Sequence, residues 1–359
     1  MFSVNHYKRG WKGPDHIGTL LELFPDKPWD WKVLSRSFSI TWKIIEKHLD
    51  KPWDWNYLSL NRCITWKIIN AHLDKPWNWM WLSINSKVAT WEVVNNYPSL
   101  PWDWYWLSRN PNVATWEIVR DNPDKKWNWK WVSMNPNITW EIIQEYPDKP
   151  WDWWGLSRNR SISWEIVQKN MDKSWDWRAL SFNMATPEII QTNPSLPWNW
   201  ERLSENPNIT WEIVQKNMDK PWDWFKISKN PSVATWEIVR DNPDKPWDWE
   251  CLSRNPSITW EIVRDNPDKP WNWGYLSLNH NMTWEIIRDN PSFPWNWKRI
   301  SRNRNITWEI ARNNPKPWSW WGLSGNPSVV TWDVVRDNPS LPWDWKCLSE
   351  TLSRRKRVW

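Results

Sequence analysis

The chain has 359 residues, among them 47 Trp, 30 Pro and only 7 Gly, and 47 Lys and Arg face 41 Asp and Glu. The net charge of +6 is modest for this length, which argues against a uniformly polybasic protein. Three widely separated Cys give no disulfide framework or zinc spacing, and no apolar run has the length of a membrane span or the form of a secretory signal.

The first 28 residues hold no complete copy of the pattern that fills the rest of the chain. Leu20, Leu21, Leu23 and Phe24 precede a Pro-Asp-Lys-Pro turn and resemble a degenerate helix of that pattern. Terminal units of repeat proteins are atypical because they must cap the stack. We therefore expect residues 1–28 to be an N-terminal capping segment.

A Trp-x-Trp signal then recurs fourteen times at spacings of 23 to 25 residues. Self-similarity at such a period predicts a repeat architecture. The first Trp of each copy is at position 29, 53, 77, 102, 127, 151, 175, 198, 222, 247, 271, 295, 318 or 343.

The copy at 247–270, WDWECLSRNPSITWEIVRDNPDKP, predicts two short helices. Asp248 stands where other copies have Asp, Asn or Ser, the side chains that cap helix N-termini. Thr259 caps the second helix in the same way, and Pro187 replaces the Trp that follows this Thr in one copy, as suits a first helical position. Asn255 suits a left-handed helix stop, and we interpret Ser253 as a small spacer between close helices.

These features predict an all-α solenoid of about thirteen 24-residue two-helix repeats, forming a single elongated domain over residues 29–352. Residues 353–359 form a basic C-terminal tail. The alternative is a β-containing, leucine-rich-like solenoid, because Ile258, Trp260 and Ile262 also alternate as in a strand.

No motif of a hydrolase, kinase, dinucleotide-binding protein or P-loop protein occurs, so we expect a non-enzymatic protein. The recurring Asp and Glu already serve as caps and helix-dipole partners. His48 and His72 occupy equivalent places in adjacent copies, but solvent-facing histidines explain them better than a metal pair. No metal site, cofactor or small-molecule substrate is predicted.

The positions that vary within the fixed frame are the candidates for binding. The third residue of each first helix lies about 200° from the Trp that opens it, since successive residues turn by about 100°. Four consecutive copies carry aromatic residues there, and an outward ladder of aromatics would suit a protein partner. These residues are Tyr57, Trp81, Trp106 and Trp131.

Basic residues concentrate in residues 295–317 and in the C-terminal tail, which suits phosphate contacts with nucleic acid. The tail also resembles a nuclear-localisation signal. The candidate contacts for nucleic acid or an acidic partner are Lys298, Arg299, Arg302, Arg304, Arg354, Arg355, Lys356 and Arg357.

The PWDW…LS.NP.ITWEIV.DNPDKP pattern resembles Trp-rich short tandem repeats of uncharacterised proteins of giant DNA viruses. The resemblance covers about residues 29–350, implies an infected host cell as the setting and assigns no functional residues. We expect an intracellular scaffold, in the host cytoplasm or the nucleus, that binds no membrane. Its expected partner is a protein held at the aromatic column, and the alternative partner is nucleic acid.

Overall fold

The computed structural model describes residues 16–354, with side chains described for 17–353, and this part of the chain is entirely helical. It contains 28 helices and no strand, so the all-α repeat prediction is confirmed and the β alternative is not supported. None of these helices combines the length and the apolar character needed to cross a membrane.

Each repeat contributes a first helix, which opens at the second Trp of Trp-x-Trp, and a second helix. The first helices carry even numbers: α2 Trp31–Ser35, α4 Trp55–Leu60, α6 Trp79–Ile84, α8 Trp104–Leu107, α10 Trp129–Met134, α12 Trp153–Leu156, α14 Trp177–Asn183, α16 Trp200–Glu205, α18 Trp224–Lys229, α20 Trp249–Arg254, α22 Trp273–Leu276, α24 Trp297–Ile300, α26 Trp320–Ser324 and α28 Trp345–Arg354. The second helices carry odd numbers: α1 His16–Leu23, α3 Trp42–Lys47, α5 Trp66–Ala71, α7 Trp91–Asn96, α9 Trp116–Asp121, α11 Trp140–Glu145, α13 Trp164–Lys169, α15 Pro187–Thr192, α17 Trp211–Lys216, α19 Trp236–Asp241, α21 Trp260–Asp265, α23 Trp284–Asp289, α25 Trp308–Asn313 and α27 Trp332–Asp337.

The predicted N-caps are present. In all fourteen first helices the Asp, Asn or Ser between the two Trp accepts a backbone hydrogen bond from the first turn, as Asp248 does from Cys251 N–H. Pro187 opens α15 behind the cap of Thr186. Thr259 has the extended backbone of a cap residue, but its hydroxyl makes no capping bond.

The Ser at the fifth position of each first helix links neighbouring repeats. Its hydroxyl accepts a hydrogen bond from the backbone N–H of the next repeat's cap residue at all fourteen junctions, over 2.8–3.1 Å. Ser253, for example, is fully buried, accepts from Asn272 N–H and donates to the carbonyl oxygen of Trp249. The prediction that this Ser is only a spacer is therefore incomplete, because its buried hydroxyl also accepts a hydrogen bond whose loss would leave a backbone N–H without a partner.

The Asn that follows the first helix is a second link, and its predicted left-handed backbone is wrong. Asn255 has φ −66° and ψ 132°, and no residue other than Gly has positive φ between residues 16 and 354. An extended backbone turns the Asn255 side chain inward. Its amide then donates to the carbonyl oxygen of Ala234 in the preceding repeat over 2.9 Å, and its Oδ1 accepts from Ser257 N–H.

A pair of Trp rings packs together at every junction between repeats. The Trp that opens each first helix meets the first Trp of the next repeat edge to face at all fourteen junctions, with centroids 4.8–5.4 Å apart. This geometry suits aromatic quadrupoles. The indole N–H of Trp247 is satisfied by the carbonyl oxygen of Asn242, a bond that recurs in the other repeats.

The fourteenth junction joins the two ends of the chain. Asp30 N–H donates to Ser349 Oγ over 3.1 Å, and Trp29 meets Trp345 with centroids 4.9 Å apart. These contacts have the same form as those between consecutive repeats, and α28 packs beside α2. The array is therefore a closed ring of fourteen repeats, which corresponds to a rotation of about 26° per repeat.

Helix α1 completes the ring. The fourteenth repeat has a first helix, α28, whereas α1 is a second helix that precedes the first Trp-x-Trp. Ile17, Leu20 and Leu21 of α1 are buried, and Phe24 lies 5.9 Å from the Trp345 ring. The predicted degenerate second helix is confirmed, and it supplies to the last repeat the helix that this repeat lacks.

The expectation of an elongated array is therefore wrong, because the curvature accumulated over fourteen repeats brings the first helix back to the last. The domain boundaries at 28 and 352 stay predictions, although α28 continues through the second of them. Neighbouring first helices make the most extensive helix–helix contacts, whereas neighbouring second helices lie further apart. In a curved array the closely spaced layer is the inner one, so the first helices line the ring and the second helices surround them.

Candidate nucleic-acid interface

Each first helix contacts the second helices, the next repeat and the preceding repeat through three of its faces. The remaining face points into the ring. The fourth residue, fully buried Leu252 in α20, faces the second helices, and the fifth, Ser253, bonds the next repeat. The third residue faces the preceding repeat. A Cβ on Gly155 would come within 3.0 Å of Ser133 Cβ and 2.5 Å of the Lys130 carbonyl oxygen. The second and sixth residues remain, and we call these positions the inner face.

This assignment corrects the predicted outward direction of the third position. Tyr57, Trp81, Trp106 and Trp131 are half-buried rather than exposed, because each lies against the preceding first helix. The ring centroids of Trp81 and Trp106 are 5.5 Å apart, and Arg109 lies over Trp131 at 4.6 Å. The sequence-based prediction assumed that only one face of each first helix is buried. In the ring, the two adjacent first helices also bury both sides of it. Partner binding by these four residues stays a prediction.

The inner face is strongly basic. It carries eleven Lys and Arg against four acids, although the whole chain has 47 against 41. The acids are Glu201, Glu205, Glu250 and Glu350. The basic residues are Lys32, Arg36, Arg109, Lys130, Arg158, Arg178, Lys229, Arg254, Lys298, Arg302 and Lys346.

Two of the inner-face acids are already neutralised. Lys226 Nζ lies 2.8 Å from a carboxylate oxygen of Glu201 and of Glu205, and Arg202 also pairs with Glu205. The hydrogen bond from Lys226 lowers the pKa of both carboxyls below the ordinary value. The negative charges of Glu201 and Glu205 are therefore balanced by Lys226 and Arg202. The basic residues elsewhere on the inner face keep their positive charge.

The predicted basic residues of α24 and its following turn come together around one exposed ring. Lys298 Nζ lies 4.7 Å and Arg302 Cζ 4.6 Å from the Trp321 ring centroid, which is a cation–π arrangement. Arg299 lies over Tyr275 at 4.2 Å. All four predicted bases, including Arg304, line one cavity of about 820 Å³ beside Trp321.

The predicted tail contacts begin at the C-terminal limit of the described residues. The backbone of Arg354 ends α28, and its side chain lies outside the described residues, as do Arg355, Lys356 and Arg357.

A second cluster of the same type was missed by the sequence analysis. Lys130 Nζ lies 3.8 Å and Arg158 Cζ 3.9 Å from the Trp154 ring centroid. A cavity of about 590 Å³ nearby is lined by Arg158, Arg160, Arg178 and Arg202. A usable signal was present, because Trp-Trp-Gly-Leu-Ser occurs twice, at 153–157 and 320–324.

The two clusters lie on opposite sides of the ring. Trp154 belongs to the sixth repeat and Trp321 to the thirteenth, so seven of the fourteen repeats separate them. Gly155 and Gly322 follow these Trp and allow the helix to approach its neighbour, since a Cβ on Gly322 would come within 2.6 Å of Ser301 Cβ. We call the two groups the Trp154 cluster (Lys130, Trp154, Arg158) and the Trp321 cluster (Lys298, Arg302, Trp321).

The three thiols are buried or half-buried, which disfavours their thiolate form. Burial raises the pKa of Cys63 to about 12, that of Cys251 to about 11 and that of Cys347 to about 11. No group of three or more His, Cys, Asp or Glu with metal-binding geometry occurs within the described range. Comparison of the chain with protein-family models, curated proteins and solved structures found no match.

Proposed function

We propose that this protein is a non-enzymatic ring scaffold that binds nucleic acid through its inner face. The observation that carries the proposal is the concentration of eleven basic against four acidic residues on that face, interleaved with Trp154 and Trp321. Lys and Arg neutralise phosphates and release counterions. Exposed aromatic rings add stacking contacts with bases, and Arg adds cation–π contacts.

Nucleic acid is favoured over a protein partner by the placement of the aromatic residues. The predicted aromatic column is half-buried between helices, so it offers little free area for docking. Trp321, by contrast, is 39% exposed and is flanked by two cations. A protein partner stays a second candidate, because Phe225 and Tyr105 on the inner face are 54% and 44% exposed.

Titration of fluorescent DNA and RNA oligonucleotides by anisotropy at several salt concentrations tests the proposal. We expect binding at low salt and a linear fall of log K with log salt, since each phosphate contact contributes a slope of about −0.9 on a duplex. The quadruple variant Lys130→Glu/Arg178→Glu/Lys298→Glu/Arg302→Glu should bind at least about 10-fold more weakly, because it reverses four charges of the inner face. Arg158 is left in place because its guanidinium pairs with Asp176 over 2.7 Å.

The matched control places the same charge reversal on the outer layer. Lys43, Lys67, Lys169 and Arg312 are exposed residues of second helices, so Lys43→Glu/Lys67→Glu/Lys169→Glu/Arg312→Glu should leave most of the affinity in place. Equal losses in both variants, or no binding at about 50 mM salt, would contradict an inner-face site. A salt-independent interaction with a protein, weakened in Tyr105→Ala/Phe225→Ala, would favour the second candidate, because salt screens contacts between charges but not those between apolar rings.

The cellular setting also remains part of the proposal. The resemblance of the repeat to those of giant DNA viruses suggests the cytoplasm of an infected cell, and the basic tail suggests the nucleus. Either compartment would supply nucleic acid to the ring.

A further inference from the structure

The ring has one junction that the chain does not cross. At thirteen junctions a second helix and its turns connect consecutive first helices covalently. At the fourteenth, which we call the seam, α28 meets α2 only through noncovalent contacts. These include the hydrogen bond from Asp30 N–H to Ser349 Oγ and the ring pairs of Trp345 with Trp29 and Phe24.

Among the described residues, the seam also lacks an amide link that strengthens most other junctions. Asn61, for example, donates its side-chain amide to the carbonyl oxygens of Ser35 and Ser37 in the preceding repeat, over 2.9 Å each. The corresponding residue of the first repeat is Ser37, which has no amide group to reach back across the seam. The Ser349 hydrogen bond, at 3.1 Å, is the longest of the fourteen that join Ser hydroxyls to cap residues.

Opening at the seam would leave every repeat-to-repeat contact elsewhere intact. In a repeat array each unit contacts only its neighbours. Opening therefore separates α28 from α2 and from α1, which the chain joins to α2. The thirteen remaining interfaces would keep their hydrogen bonds and Trp pairs. The seam is therefore the point at which the closed ring opens most easily.

The opening of the ring is wide. Packed helix axes lie about 8–10 Å apart, so fourteen first helices side by side form a circle about 35–45 Å across. Removing about 10–12 Å for the diameter of one helix with side chains leaves an opening of about 25–35 Å. This width admits a nucleic-acid duplex and leaves Lys and Arg within reach of its phosphates.

The positions of the two Trp clusters agree with a ligand in the middle of the opening. Lys130 with Arg158 and Lys298 with Arg302 face it from opposite sides. A duplex carries phosphates around its whole circumference, so it can contact both clusters at once. A single strand at one cluster would leave the other unoccupied.

We infer that the ring encircles a nucleic-acid duplex and that the duplex enters through the seam between α28 and α2. This inference rests on the proposed function, because it assigns the ligand of the same inner face. It adds that the bound state is topological: once the ring closes, the duplex leaves only by its ends or by a second opening.

A disulfide across the seam tests this inference. Gly322 and Ser301 show that the third residue of a first helix lies against the Ser of the preceding one. The pair equivalent to these at the seam is Val33 and Ser349. We would make Val33→Cys/Ser349→Cys in a chain whose native Cys are replaced by Ala, since residues whose side chains lie directly against each other can be joined by a disulfide.

The matched control locks a covalent junction instead. Native Cys251 faces Ser228, so Ser228→Cys with Cys63→Ala and Cys347→Ala closes a disulfide between the ninth and tenth repeats. This control carries the same kind of cross-link and leaves the seam free.

The locked proteins are mixed with closed circular and linear duplex DNA, and the complexes are then washed with about 1 M salt, which weakens phosphate contacts. We expect the ring locked at the seam before mixing to retain at least about 10-fold less circular DNA than the control ring. The ring locked after mixing should keep its circle through the wash and release it when the circle is cut.

The outcomes separate this inference from the proposed function. Equal loading of circles by the ring locked beforehand, or loss of the circle from the ring locked afterwards, would overturn encirclement even if low-salt binding persists. Failure of all forms to bind linear DNA at low salt would overturn the proposed function itself. Tighter binding of single strands than of duplex at low salt would also contradict the inference.

Discussion

At the scale of single residues, the buried Ser of the first helix explains how such small repeats adhere to each other. Its hydroxyl donates to a carbonyl oxygen of its own helix and accepts from a backbone N–H of the next repeat. One oxygen atom therefore joins a helix to the neighbouring repeat. Sequence reasoning recognised that the side chain had to be small. It could not find the acceptor role, because the donor is a backbone N–H that the sequence does not mark.

Ser253→Ala tests this role. Removing the acceptor leaves Asn272 N–H buried without its partner, so we expect a loss of about 1–3 kcal/mol in the free energy of unfolding. Urea denaturation followed by Trp fluorescence measures it. Ser99→Ala, at an exposed position, should change stability by less than about 0.5 kcal/mol, and equal effects at both sites would refute the linking role.

The thiols provide a second prediction at this scale. Because burial raises the pKa of Cys251 and of Cys347 to about 11, their thiolate fraction at pH 8 is about 100-fold below that of a thiol with a pKa of 9.0. Alkylation by iodoacetamide at pH 8 should therefore be slow in the folded protein and rapid in urea. Rapid reaction of the native protein would show that these junctions open readily.

At the scale of the element, the sequence predicted the helices well because their signals are local. Caps such as Asp248, and Pro187 at a helix start, act within one turn. The direction of the third residue was wrong because it depends on neighbours 20 or more residues away. Which residues of α20 are exposed is decided by the packing of this helix between the two adjacent first helices.

Trp260→Ala compares a buried ring with the half-buried Trp106. Trp260 is 6% exposed and packs on Phe293 and Trp295, with centroids 5.1 and 5.8 Å away. Its loss should cost about 3–5 kcal/mol, and Trp106→Ala should cost less than half of that. Equal losses in urea denaturation would mean that the third position is as buried as the core.

The cap of α14 predicts a dependence of stability on pH. Burial opposes ionisation of Asp176, but the hydrogen bond and charge of Arg158, 2.7 Å away, prevail and lower its pKa below 3.8. Folding therefore favours the carboxylate. This contribution to stability is complete above pH 3.8 and disappears as pH falls through the lower pKa of the folded state.

Asp176→Asn keeps a capping oxygen but removes the charge. We expect its Tm to lie below that of the wild type at pH 7 and the two values to converge toward pH 2. Asp248→Asn is the control, since Asp248 caps α20 without an ion pair among the described residues. The same convergence in the control would assign the effect to capping rather than to Arg158.

At the scale of the whole molecule, ring closure is the feature that sequence reasoning could not reach. The period predicts stacking but carries no value for the rotation per repeat, which arises from many small side-chain contacts. A change of a few degrees per repeat would accumulate over fourteen repeats into an open spiral. One clue was present, because the leucines of a second helix precede the first Trp-x-Trp, whereas residues 343–352 carry only the pattern of a first helix.

Hydrogen exchange distinguishes the ring from an open array. End repeats of an open array have one neighbour and fray, whereas in the ring each repeat has two. Amides of α2 and α28 should therefore be protected from rapid exchange, although opening at the seam makes them exchange somewhat faster than those of α14. Trp345, which is 7% exposed and contacts Trp29 and Phe24, holds the seam.

Trp345→Ala should accelerate exchange in α1, α2 and α28 and leave α14 unchanged. Each repeat contacts only its neighbours, so the loss of stability stays near the substituted residue. The equivalent change at an internal junction, Trp177→Ala, serves as the control, since Trp177 meets Trp198 in the same geometry. It should accelerate exchange only around α14 and α16. Rapid exchange of α2 and α28 in the wild type would show an open array in solution, because ends that are free to fray cannot form the fourteenth junction.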